Sequence, residues 1–297
     1  MADRPSQDND RPHRVEGVLE RQDPTGEPVP VVFDCPHSGD RYPADFDYAV
    51  SLEALRSTED MYVDDLFGQA PRQGATLLRA LFPRSYIDVN RRPEDIDASL
   101  LAEPWPGELR PGGKTANGKG LLRAQAMGLP IYRRPLAVRE VRTRLDRYYH
   151  PYHDALAAII GHQHSRFGAV WHVNCHSWTP PASGRDGKPV RHVDFFLGDR
   201  DGTTAQPEFT AGVAGYLRAL GYEVRVNRLF KGMEIVRRHG RPALGQHSLQ
   251  IEINRNLYMD KHGYHRLEGY SRLRGHLTGL IAVVCEHARR HCPDPTP

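Results

Sequence analysis

The chain alternates short apolar runs with longer amphipathic stretches, and this alternation restricts its fold more than any other feature. Six runs have the length and the β-branched or aromatic content of strands: VVFDC (31–35), SYIDV (85–89), AVWHVNC (169–175), DFFLG (194–198), YEVRV (222–226) and SLQIEI (248–253). Helical patterns lie between them. One is LEALRSTEDMYVDDLFGQA (52–70), a long one runs from Pro135 to Phe167, and another runs from Thr203 to Gly221, where Gly221 is the expected C-cap. The last, from about Gly263 to His291, puts Leu273, Leu277, Leu280, Ile281 and Val284 on one face. Strand and helix taken in turn predict an α/β fold, a sheet with helices on both faces.

The 297 residues suit one large α/β domain. Residues 1 to about 14, MADRPSQDNDRPHR, are polar and read as a disordered leader, which leaves 15–297 as the domain. The stretch 93–130 is rich in Pro, Gly and charge. Strands resume after it, so it is expected to be a loop excursion over a site. Forty basic residues against 37 acidic ones give a formal charge of only +3, which argues against a nucleic-acid partner. No run approaches the roughly 20 apolar residues that span a bilayer, and the leader lacks the apolar stretch of a secretion signal. A cytoplasmic protein with reduced thiols is expected. Its four cysteines, Cys35, Cys175, Cys285 and Cys292, form no CxxC pair, so a zinc ribbon is excluded.

Several motifs fail on inspection. GGKT (112–115) lacks the glycine spacing of a phosphate loop, and Pro111 removes a backbone donor. G-x-S-x-G and H-E-x-x-H are both absent. His150 and His153 stand at i, i+3 in HPYHD, where capping or solvated histidines are expected rather than metal ligands.

The polar groups that remain gather at strand ends, where open α/β sheets build their sites. VVFDC exits into His37, SYIDV into Asn90, Arg91 and Arg92, AVWHVNC into His176, and SLQIEI into Glu252, Asn254 and Arg255. Two imidazoles and one carboxylate make an open zinc site with a free fourth position. Glu252, a carboxylate in an apolar strand, is costly to bury without a partner. It reads either as a general base or as half of an ion pair with an arginine such as Arg91. Arg91 beside Asn90 forms a fork for a substrate carboxylate. Cys175 and His176 alternate along a strand and so face opposite ways, which counts against a cysteine hydrolase.

Four stretches taken together resemble the N-formylglutamate amidohydrolase (N-formylglutamate deformylase) family: PHSGDRYP (36–43), PRSYIDVNR (83–91), CHSW (175–178) and LQIEINRNLYMD (249–260). PLAVREVRTRLDRYYHPYH and DFFLGDRDGTT add to the likeness, which covers roughly 30–290. The resemblance implies a three-layer α/β/α domain with a mixed central sheet, like that of zinc carboxypeptidases and aspartoacylase-like amidohydrolases (a phosphorylase/hydrolase-like fold). It implies one Zn2+ per chain, or another divalent metal, and hydrolysis of N-formyl-L-glutamate to formate and L-glutamate in histidine breakdown. His37 and His176 match the histidine ligands, Glu252 the catalytic glutamate, and Asn90 with Arg91 the pair that grips the α-carboxylate. Asp60, in STEDMYVDD, is the implied third ligand, with Glu59, Asp64 and Asp40 in reserve. The cation for the substrate's second carboxylate is left among Arg84, Arg191, Arg237 and Arg255, with Asn254 beside the last. Asn174 stands where relatives often carry aspartate. The alternatives are an amidohydrolase or carboxypeptidase for another N-acyl amino acid or short peptide, and a non-catalytic module that binds acidic ligands.

Overall fold

The structure, a computed structural model, describes residues 13–180, 193–260, 262 and 264–293. Arg191 and all of the expected leader except His13 and Arg14 lie outside the described residues.

The strands are β1 (Arg14–Val15), β2 (Leu19–Gln22), β3 (Val31–Cys35), β4 (Thr76–Ala80), β5 (Gln125–Ala126), β6 (Leu129–Pro130), β7 (Val170–Trp178), β8 (Phe195–Gly198), β9 (Val224–Val226) and β10 (Gln246–Asn254). The helices are α1 (Leu52–Arg56), α2 (Val63–Leu66), α3 (Val138–Arg144), α4 (His150–Phe167), α5 (Pro207–Ala219), α6 (Glu234–His239) and α7 (Gly269–His291). Eight strands form one sheet in the order β1-β2-β4-β3-β7-β10-β8-β9. Its centre, β4-β3-β7-β10, is parallel, while β2 and β8 join it antiparallel, so the sheet is mixed. Helices α5 and α7 cover one face, and α3 and α4 cover the other, which makes the three layers. Strands β5 and β6 form a separate hairpin inside the 93–130 excursion.

Side-chain alternation divides the central strands between the two layers. Val31, Phe33 and Cys35 of β3 join Trp171, Val173 and Cys175 of β7 in the core beneath α7. Leu273, Leu277, Leu280, Ile281 and Val284 of α7 are all buried there, and each contributes roughly 1.5–3 kcal/mol by leaving water. The opposite face carries Asp34, His172, Asn174, His176, Ser248, Gln250 and Glu252, a polar stripe through the interior. Cys175 and His176 thus do face opposite layers. Burial pushes the Cys175 thiol above its ordinary range, away from the nucleophilic thiolate.

One strand expectation fails. SYIDV (85–89) is a chain of turns, with the Tyr86 N–H on Pro83 O and the Arg91 N–H on Asp88 O. Tyr86, Ile87 and Val89 are buried beneath α4, so the apolar content belongs to an irregular core segment. The place in the sheet is taken by TLLRA (76–80), a composition of helix formers whose strand state comes from pairing with β2 and β3. The pattern over 52–70 splits into α1 and α2 at Thr58–Tyr62, where Tyr62 has a φ of +66°. The long pattern from Pro135 splits into α3 and α4 through a π turn at Leu145–Tyr149. Pro151 follows that turn, and having no N–H to offer the preceding turn, it disfavours an unbroken α-helix. Gly221 closes α5 as expected, at φ +89°.

His153 lies buried on α4 with Nε2 on Val89 O at 2.8 Å, and His150 beside it is exposed, so the pair holds no common ligand. Burial pushes His153 down to about 3. The unfolded chain therefore binds a proton below pH ~6.5 that the fold refuses, and stability is lost as pH falls through that value. We expect the stability advantage of wild type over His153→Gln to narrow by up to roughly 2 kcal/mol between pH 7.5 and pH 5.0 in urea titrations. An advantage that is constant with pH would contradict the buried neutral imidazole.

Candidate active site

The loop after β3 carries His37, and the break between α1 and α2 carries Asp60. The Asp60 N–H donates to His37 O at 2.9 Å, which ties the two loops together. Strand β7 delivers His176. The Nδ1 atoms of both histidines converge on Asp60 Oδ2, at 3.4 Å from His37 and 3.0 Å from His176, and the ring centroids lie 4.7 Å apart. One ligand atom from each residue lies within 4.8 Å of the others, and all three residues are buried. His37 Nδ1 has no hydrogen-bond partner, an orphaned lone pair that a cation would satisfy.

The outer nitrogens explain why Nδ1 faces inward on both rings. His37 Nε2 donates to Asp88 Oδ1 at 2.7 Å. His176 Nε2 donates to Asn174 Oδ1 at 2.7 Å, and the Asn174 amide is itself oriented by donating from Nδ2 to Asp34 Oδ1 at 2.8 Å. Each ring thus keeps its proton on Nε2 and presents a lone pair at Nδ1, the form that binds metal. Burial pushes His176 below its ordinary range and keeps it neutral. Burial opposes ionisation of Asp60, but the close approach of His176 and His37 and the charge of Arg84 outweigh it and hold the carboxyl well below the usual range. Arg84 also chelates Asp88 Oδ2 through Nη2 at 2.7 Å and Nε at 3.2 Å.

Glu252 stands opposite His176 in the β7–β10 register and shares its face of the sheet. Both line a cavity of about 390 Å³ together with His37, Arg84, Asn90 and Arg91. Glu252 Oε1 accepts from Gln250 Nε2 at 2.9 Å, and the Gln250 amide is fixed by the Met233 N–H on its Oε1 at 3.1 Å. Burial, reinforced by the charge of Asp60, pushes the Glu252 carboxyl well above its ordinary range. Its neighbouring arginines do not lie within ion-pair distance among the described residues, so the buried-ion-pair alternative has no geometric support.

The other expected residues separate. Asn90 accepts the Ile235 N–H on Oδ1 at 2.9 Å, and its Nδ2 lies 3.0 Å from His176 Nε2. Arg91 donates from Nε to Lys119 O at 2.7 Å and from Nη1 to Asn90 O at 2.8 Å, so Nη2 is the nitrogen neither carbonyl engages. Arg255 lines the cavity, yet its guanidinium is committed to Ser177 Oγ, Ser57 O, Glu59 O and Asp60 Oδ1. It braces Asp60 rather than waiting for substrate. Asn254 is also reassigned. Its amide accepts the Asn256 N–H and donates to Val193 O, capping the short turn that follows β10. Of the reserve ligands, Glu59 is held by Tyr42 Oη, Asp64 pairs with Arg79 at 2.7 Å, and Asp40 is exposed. Arg237 pairs with Glu234 outside this cavity.

Four cavity cations were not singled out from the sequence, Lys231 and the group Lys114, Lys119 and Arg123. The signal for the last three was the basic spacing in GGKTANGKGLLR (112–123), inside the expected excursion. A buried chain of Ser248, His172 and Asp34, joined at 2.7 Å on each side of the imidazole, has the order of a serine-hydrolase triad. All three residues are buried and none lines the cavity, so it serves as interior polar structure.

Two imidazoles and an ionised carboxylate around one point, with a desolvated carboxyl group on the next strand, give the arrangement of a metal-dependent hydrolase. Comparison with known proteins narrows the class. The model of the N-formylglutamate amidohydrolase family matches residues 29–259, and the chain belongs to that family. It is 29% identical to an N-formylglutamate deformylase of Pseudomonas aeruginosa over 238 residues, covering 78% of this chain and 83% of that one. It is 30% identical to the deformylase of Pseudomonas putida over 240 residues, with the same coverage. A crystal structure of an N-formylglutamate amidohydrolase from Ralstonia eutropha superposes with a TM-score of 0.88 at 46% identity, covering 92% of this chain and 99% of that one.

Proposed function

We propose that the protein hydrolyses N-formyl-L-glutamate to formate and L-glutamate, with one zinc ion held by His37, Asp60 and His176. The observation that carries this reading is the convergence of two Nδ1 lone pairs and one carboxylate oxygen beside Glu252 in a single cavity. A divalent ion at these ligands supplies Lewis acidity to a carbonyl and lowers the pKa of a water.

The remaining work falls to the chain. Glu252 accepts the proton of the attacking water as its oxygen bonds to the formyl carbon. As the C–N bond breaks, Glu252 returns that proton to the departing nitrogen. Gln250 holds one oxygen of this carboxylate, which leaves Oε2 for the transfer. Arg84, fixed by Asp88, sets a positive charge where negative charge develops on the formyl oxygen. Asn90 and the Nη2 of Arg91 hold the α-carboxylate. Four free thiols suit a reducing compartment such as the cytoplasm, and no described helix is long and apolar enough to cross a membrane.

A second cavity of about 280 Å³ shares Asn90, Arg91, Lys114 and Met233 with the first. It favours, as a second reading, a longer acyl group on the same acidic amino acid. Formate release from N-formyl-L-glutamate, measured with and without a chelator and beside an acetyl and a succinyl analogue, tests both. Chelator-sensitive formate release supports the first reading. Release of only the longer acyl groups supports the second. Turnover untouched by the chelator would remove the metal from either.

A further inference from the structure

The cations around the cavity are not equivalent, and accounting for their partners separates them. Arg84 is paired with Asp88, Arg255 commits four of its five N–H donors to protein acceptors, and Lys231 pairs with Asp201 at 2.8 Å. Arg91 is half engaged by two carbonyls. Lys114, Lys119 and Arg123 remain. Among the described residues none of them has a carboxylate within ion-pair distance, and Arg123 Nε is buried without any hydrogen-bond partner. Lys114 has only the face of Phe230, 5.8 Å from its Nζ to the ring centroid. Burial and mutual repulsion with Arg84 and Arg91 push Arg123 down to about 9. An uncompensated positive cluster in a recessed site is costly unless an anion enters it.

These three residues are also held in place. The Gly112 N–H donates to Asp95 Oδ1 at 2.7 Å, Thr115 Oγ1 donates to the same oxygen, and the Leu121 N–H donates to Asp95 O at 2.8 Å. Lys119 and Arg123 face each other across an isolated bridge. Arg91 Nε grips Lys119 O, so the α-carboxylate fork and the segment bearing the free cations share one fixed spacing. Such rigidity is what discrimination between charged and neutral ligands requires.

We propose that Lys114, Lys119 and Arg123 form a second carboxylate subsite, with Arg123 as the residue that makes the enzyme select N-acyl dicarboxylic amino acids over neutral ones. The inference rests on the deformylase reading and adds to it the residues that read the substrate's side chain.

The test compares kcat/KM for N-formyl-L-glutamate with that for its neutral isostere N-formyl-L-glutamine, in wild type, Arg123→Gln, Arg123→Lys and Lys114→Gln. Wild type is expected to prefer the dianion by about 10²-fold or more. Arg123→Gln should shrink that preference at least about tenfold, with Arg123→Lys retaining most of it and Lys114→Gln falling between. A preference equal to wild type in Arg123→Gln and Lys114→Gln would overturn the subsite. Wild type that turns over neither amide would overturn the deformylase reading instead. The subsite is then decided by thermal shift with glutarate against butyrate. A glutarate-specific rise in Tm that is lost in Arg123→Gln supports it, and a rise common to both proteins, or absent from wild type, overturns it.

Discussion

Replacing Glu252 with glutamine is expected to lower kcat about 10³-fold while the metal stays bound, because positioned general acid–base catalysis contributes about 10²–10⁴. The exchange keeps shape and removes only the proton-carrying function. Gln250 still meets an acceptor at position 252, since a side-chain amide oxygen can take the bond that Oε1 takes now. None of the three candidate ligands is touched, so His37 and His176 keep their anchors on Asp88 and Asn174. Steady-state kinetics and metal analysis of the same preparation check both halves. Activity within tenfold of wild type would remove Glu252 from the proton transfer, and loss of metal would make it a ligand.

Truncating His176 to alanine is expected to weaken metal affinity by more than about 10²-fold, since loss of even an outer-shell partner costs about 10–100-fold. Turnover should fall at least about 10³-fold, because polarisation by a metal contributes several kcal/mol and each 1.36 kcal/mol is a factor of ten. The variant also leaves Asp60 with His37, Arg255 and Ser177 as its near partners, enough to keep the carboxylate charged and the loop in place. Two readouts separate chemistry from folding. The rise in Tm on adding zinc, present in wild type by mass action, should vanish in the variant, while its far-ultraviolet circular dichroism stays that of wild type. A variant that keeps a wild-type zinc-dependent rise would exclude His176 from the ligand set.

Much of this arrangement was legible in the sequence, for a physical reason. Strands β3, β7 and β10 are buried on both faces, so they read as nearly continuous apolar runs, and the polar residues that interrupt them stand out as exceptions. Asp34, His172 and Glu252 are such exceptions. Strand β4 was hidden because Thr-Leu-Leu-Arg-Ala carries helix formers, and its state is decided by neighbours distant in the chain. Tyr-Ile-Asp-Val misled in the opposite direction, since a turn buried beneath a helix needs the same apolar side chains as a strand. Arg255 was legible as a residue of the site but not in its role, because spacing does not reveal which acceptors a guanidinium reaches. Asn254 lost its expected role to capping, a local bond that outranks a distant ligand. The cations at 114, 119 and 123 were obscured by a glycine–lysine–threonine string that imitates a nucleotide loop.

The backbone N–H groups of Met233 and Ile235 orient two carboxamides, Gln250 beside Glu252 and Asn90 beside His176. One short stretch of chain thereby acts as a common gauge for groups that come from separate parts of the polymer. The gauge is seated on Gly198, where a single added carbon would lie 2.5 Å from the Gly232 nitrogen. A methyl group at a position that meets no ligand would lift the gauge and throw both carboxamides out of step together, so the enzyme's alignment depends on an atom that residue 198 lacks.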